Sequence, residues 1–173
     1  MAAQCATEVD DNPLWNFALQ FYASKDVQEL LLTLQDDYQQ DTLLLLTALW
    51  LANEGQSWQL TSEQLDDYHQ WRANVIWSLR AARKAIAKDN TSPEQLTLRQ
   101  QIQKDEIRAE QIALHQLYSL HSESKHKANH AQLAYKNLMI QAELAEATLI
   151  KADIKKEALG PLFQQLADLL VSQ

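Results

Sequence analysis

Apolar residues recur at spacings of three and four along most of this chain, and polar punctuation divides them into a succession of helices. The pattern opens at Asn12-Pro13, a cap residue followed by proline at the first helical position. It predicts a helix over 13–23 with Leu14, Phe17, Ala18, Phe21 and Tyr22 on one stripe. Ser24 caps a second helix, 25–38, with Val27, Leu30, Leu31 and Leu34 facing inward. Asp41 caps a third, 42–53, and Gly55 stands where a left-handed residue ends a helix. Leu43, Leu44, Leu45, Leu46, Leu49, Trp50 and Leu51 leave this third helix almost no polar face. A helix apolar nearly all round is central in a bundle or covered by a partner.

Trp58 anchors the loop 56–60, and Thr61 with Gln64 three residues later reads as a capping box. The fourth helix is expected unbroken to about 88, with Leu65, Tyr68, Trp71, Val75, Leu79, Ala82 and Ile86 on a shared face. Its basic end (Arg80, Arg83, Lys84, Lys88) suits a helix C-terminus. Ser92-Pro93-Glu94-Gln95 is the clearest start signal in the chain and opens a fifth helix reaching about 120. The polar stretch 121–130 reads as a turn. A sixth helix, 130–158, carries the seam Tyr135, Leu138, Ala142, Ala145, Leu149 and Ala152, with Gly160-Pro161 as its stop and a short last helix at 162–171.

Residues 1–11 show no apolar period and are expected to be a disordered lead-in. The remainder, 12–173, reads as a single helical domain: a compact body at 12–88, which holds all five Trp, and a helical pair at 92–158. The wide apolar surface of the third helix favours the pair packing back onto the body. Composition sharpens the class. With 2 Gly and 3 Pro among 173 residues, few hairpin turns can be built, so the expected fold is an all-α bundle of about six helices.

A lone cysteine, Cys5, excludes an intrachain disulfide. The opening MAAQCATEVDDN has no early basic residue and no apolar core of a signal peptide. The apolar run 43–52 is half the length of a bilayer span. A cytoplasmic protein without a membrane span is therefore expected. The net charge of −8 makes nucleic acid an unlikely partner. That charge is uneven: residues 1–70 hold twelve acids and one base, residues 71–173 hold fourteen bases and eleven acids. The blander explanation is that the two halves complement each other internally.

Three constellations invite a chemical reading. Asp37 and Asp41 have the DxxxD spacing that holds magnesium–diphosphate in helical prenyl-transferring enzymes. A second acidic motif facing them is lacking, and Asp41 is better read as a cap. Glu123 and His126 have the ExxH spacing of di-iron bundles. The second copy would be the off-type Asp66–His69, and His121, His126 and His130 read as a solvated turn. Arg72, Arg80, Arg83, Lys84 and Lys88, interleaved with Trp71 and Trp77, could bind an acidic or phosphate-bearing partner, although complementing a helix end is the simpler role. No residue is assigned to catalysis, and no metal or cofactor is expected.

The first 60 residues resemble a family of short, uncharacterised proteobacterial proteins classed as a domain of unknown function. The resemblance rests on Pro13-Leu14-Trp15-Asn16-Phe17-Ala18-Leu19, Tyr22, Leu34-Gln35-Asp36, Asp41, Leu44-Leu45-Leu46 and Trp50-Leu51. It covers about 12–60 well and the part after 92 weakly. The family pattern often has Gly near position 39 and Asn near 43, where this chain has Gln39 and Leu43. A bacterial origin is what the resemblance implies; it carries no catalytic residue.

Two functions follow as expectations. The first is a non-enzymatic helical module that docks a protein partner or self-associates, motivated by the all-apolar third helix. The alternative is a small-ligand binder, or a metal- and diphosphate-dependent enzyme, with a pocket among helices 1–4 formed by Asp36, Asp37, Asp41, Trp50 and Arg72.

Overall fold

The computed structural model describes residues 12–89, 91–121, 129–146 and 156–172. The described residues form an all-α bundle of seven helices without strands. α1 (Pro13–Tyr22) starts as its sequence predicts: the Asn12 side chain accepts the Leu14 amide at 2.9 Å, and Pro13 occupies the first turn. α2 spans Lys25–Asp36 and α3 spans Thr42–Asn53. Gly55, at φ 70°, closes α3 through Gln56 N–H to Leu51 C=O (2.7 Å) and Gly55 N–H to Ala52 C=O (3.0 Å). Between α2 and α3 the chain turns through Gln39 at φ 54°, a left-handed backbone that glycine adopts more readily.

Thr61 and Gln64 form their capping box, followed by the 3-10 turn Glu63–Leu65. α4 then runs through three consecutive segments: an α-helical Asp66–Trp71, a π turn Arg72–Ile76, and an α-helical Trp77–Ala85. It stops at Ala85, short of the expected 88, because Ile86 is extended. The π turn adds a residue to one helical turn and so rotates everything after it. As a result Ala82, expected inside, is exposed, whereas Ile76 is buried and Arg80 and Arg83 are half-buried.

α5 (Pro93–Ser119) opens with the reciprocal Ser92–Gln95 box. α6 spans His130–Glu146 and α7 spans Lys156–Val171. Gly160-Pro161 therefore does not stop a helix: Pro161 lies in the second turn of α7, where it forfeits one backbone hydrogen bond. A Cβ at Gly160 would sit 3.5 Å from the Tyr135 hydroxyl of α6, an ordinary contact. The lead-in 1–11 with Cys5, the pair Glu123–His126 and the seam positions past 146 lie outside the described residues.

All positions of α3 from Leu43 to Ala52 are buried. The cover comes from the chain itself, for α3 packs against α1, α2, α5, α6 and α7. α5 and α6, expected as a mutually paired hairpin, each pack against α3 instead. Each carries a narrow apolar stripe, and a helix that is apolar all round offers both stripes a better partner than their own Gln- and Glu-rich faces. α6 is clipped in place by Asn137, fully buried. Its Oδ1 accepts the Trp58 amide at 2.8 Å, and its Nδ2 donates to the carbonyls of Ala48 (3.2 Å) and Gln56 (3.0 Å). α7 closes the core with Leu159, Phe163, Leu166, Ala167 and Leu170.

The second half of α4 and the first half of α5 depart from this core. Among the described residues from Trp77 to Asp105 no side chain is buried. They form a two-helix arm tied at its base by ion pairs.

Candidate functional site

Asp41 ends the turn after α2, and its position fixes the chemistry around it. As the cap of α3, its Oδ1 accepts the amides of Leu43 (3.0 Å) and Leu44 (3.4 Å). Its Oδ2 accepts the Tyr68 hydroxyl at 2.8 Å and pairs with Nε of Arg72 at 2.9 Å. Burial and the neighbouring Asp41 carboxylate push the Tyr68 hydroxyl well above its ordinary range, so Tyr68 is a donor at any physiological pH. The Arg72 guanidinium in turn lies over the Trp77 ring, 4.7 Å from its centroid. The cap of one helix thus orients an arginine of another.

That arginine borders an open cavity of about 330 Å³ between α1, α3, α4 and α5. Its apolar walls include Trp15, Ala18, Leu19, Leu43, Leu46, Ile76, Ile107 and Leu114. Its polar groups are Asp41, Arg72, Arg80, Glu110, Gln35, Thr42 and Tyr22. The π turn is what brings α4 to this wall in register. Arg72, Ile76 and Arg80 follow one another at spacings of four, and all three line the cavity.

Arg80 is held on three sides, by Glu106 (Nε, 2.9 Å), Glu110 (Nη2, 2.8 Å) and Gln35 (Nη1, 3.4 Å). Arg83 binds both oxygens of Glu106. Burial alone would raise the Glu106 carboxyl, but the hydrogen bonds from Arg83 and Arg80 outweigh it and hold Glu106 below the usual carboxylate range. Glu110 is raised by burial, since its single contact with Arg80 does not offset that cost. Tyr22 is raised by burial and by Glu110 across the cavity.

Of the residues singled out in the sequence, the structure brings Asp41 and Arg72 together at the cavity. Asp36 and Asp37 are exposed at the end of α2 and do not line it. Asp37 and Asp41 belong to different helices, so DxxxD spacing does not place them on one face. Trp50 is buried on another side of α3, against Tyr118 at 5.5 Å and His121 at 6.1 Å. The basic stretch is largely spent internally, with Arg72, Arg80 and Arg83 all in ion pairs. Among the described residues, the acid-rich first half forms an ion pair with this stretch through Asp41, and the other partners are Glu106 and Glu110 of α5.

Trp15, Tyr22, Ile76 and Glu110 escaped the sequence reading as site residues, and Arg80 was named only as part of a basic stretch. Their signal was present as the run Arg72, Ile76, Arg80 at spacing four, with Glu106 and Glu110 at the same spacing on the next helix.

The turn, the cavity and the helices that wall it fall inside one recognisable stretch of sequence. The model of a protein family covers residues 13–117, more than half of the chain. The chain belongs to DUF2390, a family of proteins of unknown function. The DUF2390 match extends well past the 12–60 of the expected resemblance. It includes every residue named above as lining the cavity, whereas α6 and α7 lie beyond it. No curated protein and no solved structure matches the chain. Among the described residues no helix is long and apolar enough to cross a membrane, and no group of three His, Cys, Asp or Glu is arranged to hold a metal ion.

Proposed function

We propose that this DUF2390 protein binds a small amphipathic molecule in the cavity between α1, α3, α4 and α5. The observation that carries the reading is an open concavity of about 330 Å³ with mainly apolar walls and a few fixed polar groups, the form of a small-molecule site. The reading keeps Asp41 and Arg72 as site residues and leaves out Asp36, Asp37 and Trp50. It also sets aside the magnesium–diphosphate variant, since the Asp41 carboxylate is already engaged by two amides, a hydroxyl and a guanidinium. The bacterial, cytoplasmic setting expected from the sequence is part of the proposal.

The test is a titration with the neutral fluorophore N-phenyl-1-naphthylamine, whose emission rises in apolar surroundings. The expected result is saturable binding to the native protein, weakened at least tenfold by Ile107→Trp, which fills the cavity lip from an exposed position. Absence of saturable binding to the native protein would remove the reading.

The original motive for a docking module, the apolar surface of α3, is covered from within the chain. A second reading nonetheless rests on the α4–α5 arm, where Trp77 and Leu98 are 48% and 54% exposed without a core beneath them. We propose, as this second function, that the arm pairs with the same arm of another copy. Sedimentation should then show a concentration-dependent dimer that Leu98→Glu abolishes; a monomer at all concentrations would refute it.

A further inference from the structure

The hydrogen-bonding capacity left unspent in the cavity shows what kind of ligand it suits, on the reading that the cavity binds a small molecule. Asp41 is fully engaged through four contacts. Thr42 donates to Gln35 Oε1 (3.2 Å), and the Gln35 amide nitrogen donates to Asp36 (3.1 Å). All three arms of the Arg80 guanidinium are engaged.

Donor groups remain on three cavity residues. They are the two terminal amino groups of Arg72, whose ion pair is made through Nε, the Tyr22 hydroxyl and the Trp15 indole N–H; none has an acceptor among the described residues. One charged acceptor remains, Oε2 of Glu110, whose partner oxygen is held by Arg80. An arginine fixed on Nε by a carboxylate and on its face by an indole keeps its two outer N–H groups parallel, the geometry that binds a carboxylate in bidentate fashion.

We infer that the cavity takes a monocarboxylate carried on an apolar body, with the carboxylate on the terminal amino groups of Arg72. The hydrocarbon lies against Ala18, Leu46, Ile76 and Leu114. Glu110 keeps the anion at the Arg72 side of the cavity. Asp41 and Trp77 act as positioning residues that hold the guanidinium in place before the ligand arrives.

Octanoate and octanamide share size and shape and differ in charge, so they separate this inference from the cavity reading. Both compete with N-phenyl-1-naphthylamine in the native protein. Octanoate should displace it at a concentration at least tenfold lower than octanamide, the value of one charge-assisted hydrogen bond. In Arg72→Gln that advantage should vanish, read as the ratio of the octanoate and octanamide concentrations that displace the fluorophore from the same variant. Arg72→Lys, which keeps a counter-charge for Asp41 but loses the paired N–H groups, should retain only part of the advantage. An octanoate advantage absent in the native protein, or undiminished in both variants, overturns the carboxylate assignment and leaves the cavity reading standing. Failure of the fluorophore to bind the native protein overturns both.

Discussion

Asp41 serves as helix cap, hydroxyl acceptor and counter-ion with one carboxylate, so its substitutions separate those roles. Asp41→Ala removes the cap and leaves the Tyr68 hydroxyl and Arg72 without their acceptor; urea denaturation should show a loss of about 4 kcal/mol. Asp41→Asn keeps a cap oxygen and should lose about half as much. A loss below about 1 kcal/mol for the alanine variant would mean that the three contacts are not coupled to folding. The adjacent turn gives a prediction of opposite sign. Gln39 holds φ 54°, a region that costs a side-chain-bearing residue roughly 1 kcal/mol, so Gln39→Gly should stabilise by about that amount. The sequence identified Asp41 as a cap because capping is a local property. It also marked Gln39 as the departure from a glycine, although only the backbone shows that the position is left-handed. Arg72 could be singled out by type, but its pairing with Asp41 spans two helices and depends on how α4 crosses α3.

Helix boundaries were legible wherever a cap residue or a glycine set them, as at Asn12, Asp41, Gly55 and Ser92. They were misread where tertiary contact decides. Gly160-Pro161 looks like a stop, yet α7 runs through it and passes close to Tyr135. Because a Cβ there meets only that hydroxyl at 3.5 Å, Gly160→Ala should stabilise by about 0.5–1 kcal/mol through the reduced freedom of the unfolded chain. The π turn in α4 was invisible to a period-3.6 reading, and it is the element that gathers the site. By rotating Arg80 and Arg83 toward α5 it creates the ion network at the base of the arm. That network should carry a pH signature. Glu106 is held below its ordinary value of 4.5, so its contribution is fully present above that pH and is lost as the pH falls through the lower folded value. Glu106→Gln should therefore cost about 3 kcal/mol at pH 7, with the difference from the native protein shrinking below pH 4.5. A pH-independent difference in denaturation midpoint would contradict the assignment.

At the scale of the whole molecule, α3 is the axis on which the fold is assembled. Its all-apolar sequence called for a helix either central in a bundle or covered by a partner, and the chain's own helices supply the cover. Its wide apolar surface favoured the 92–158 pair packing back onto the body, but hydrophobic pattern alone could not say that α7 would join the cover. What fixes the place of α6 is Asn137, a buried polar side chain that serves the Ala48 carbonyl in the middle of α3 and two backbone groups of the loop after it. With α3 covered along most of its length, the open concavity lies where α1, α3, α4 and α5 meet. On the proposed reading this cavity binds an apolar monocarboxylate. Amide chemical-shift mapping during an octanoate titration tests it most directly. The prediction is saturable shifts concentrated at 15–23, 41–46, 72–80 and 107–114, the stretches that wall the cavity. Shifts confined to the arm around Leu98, or no saturable shifts at all, would contradict it.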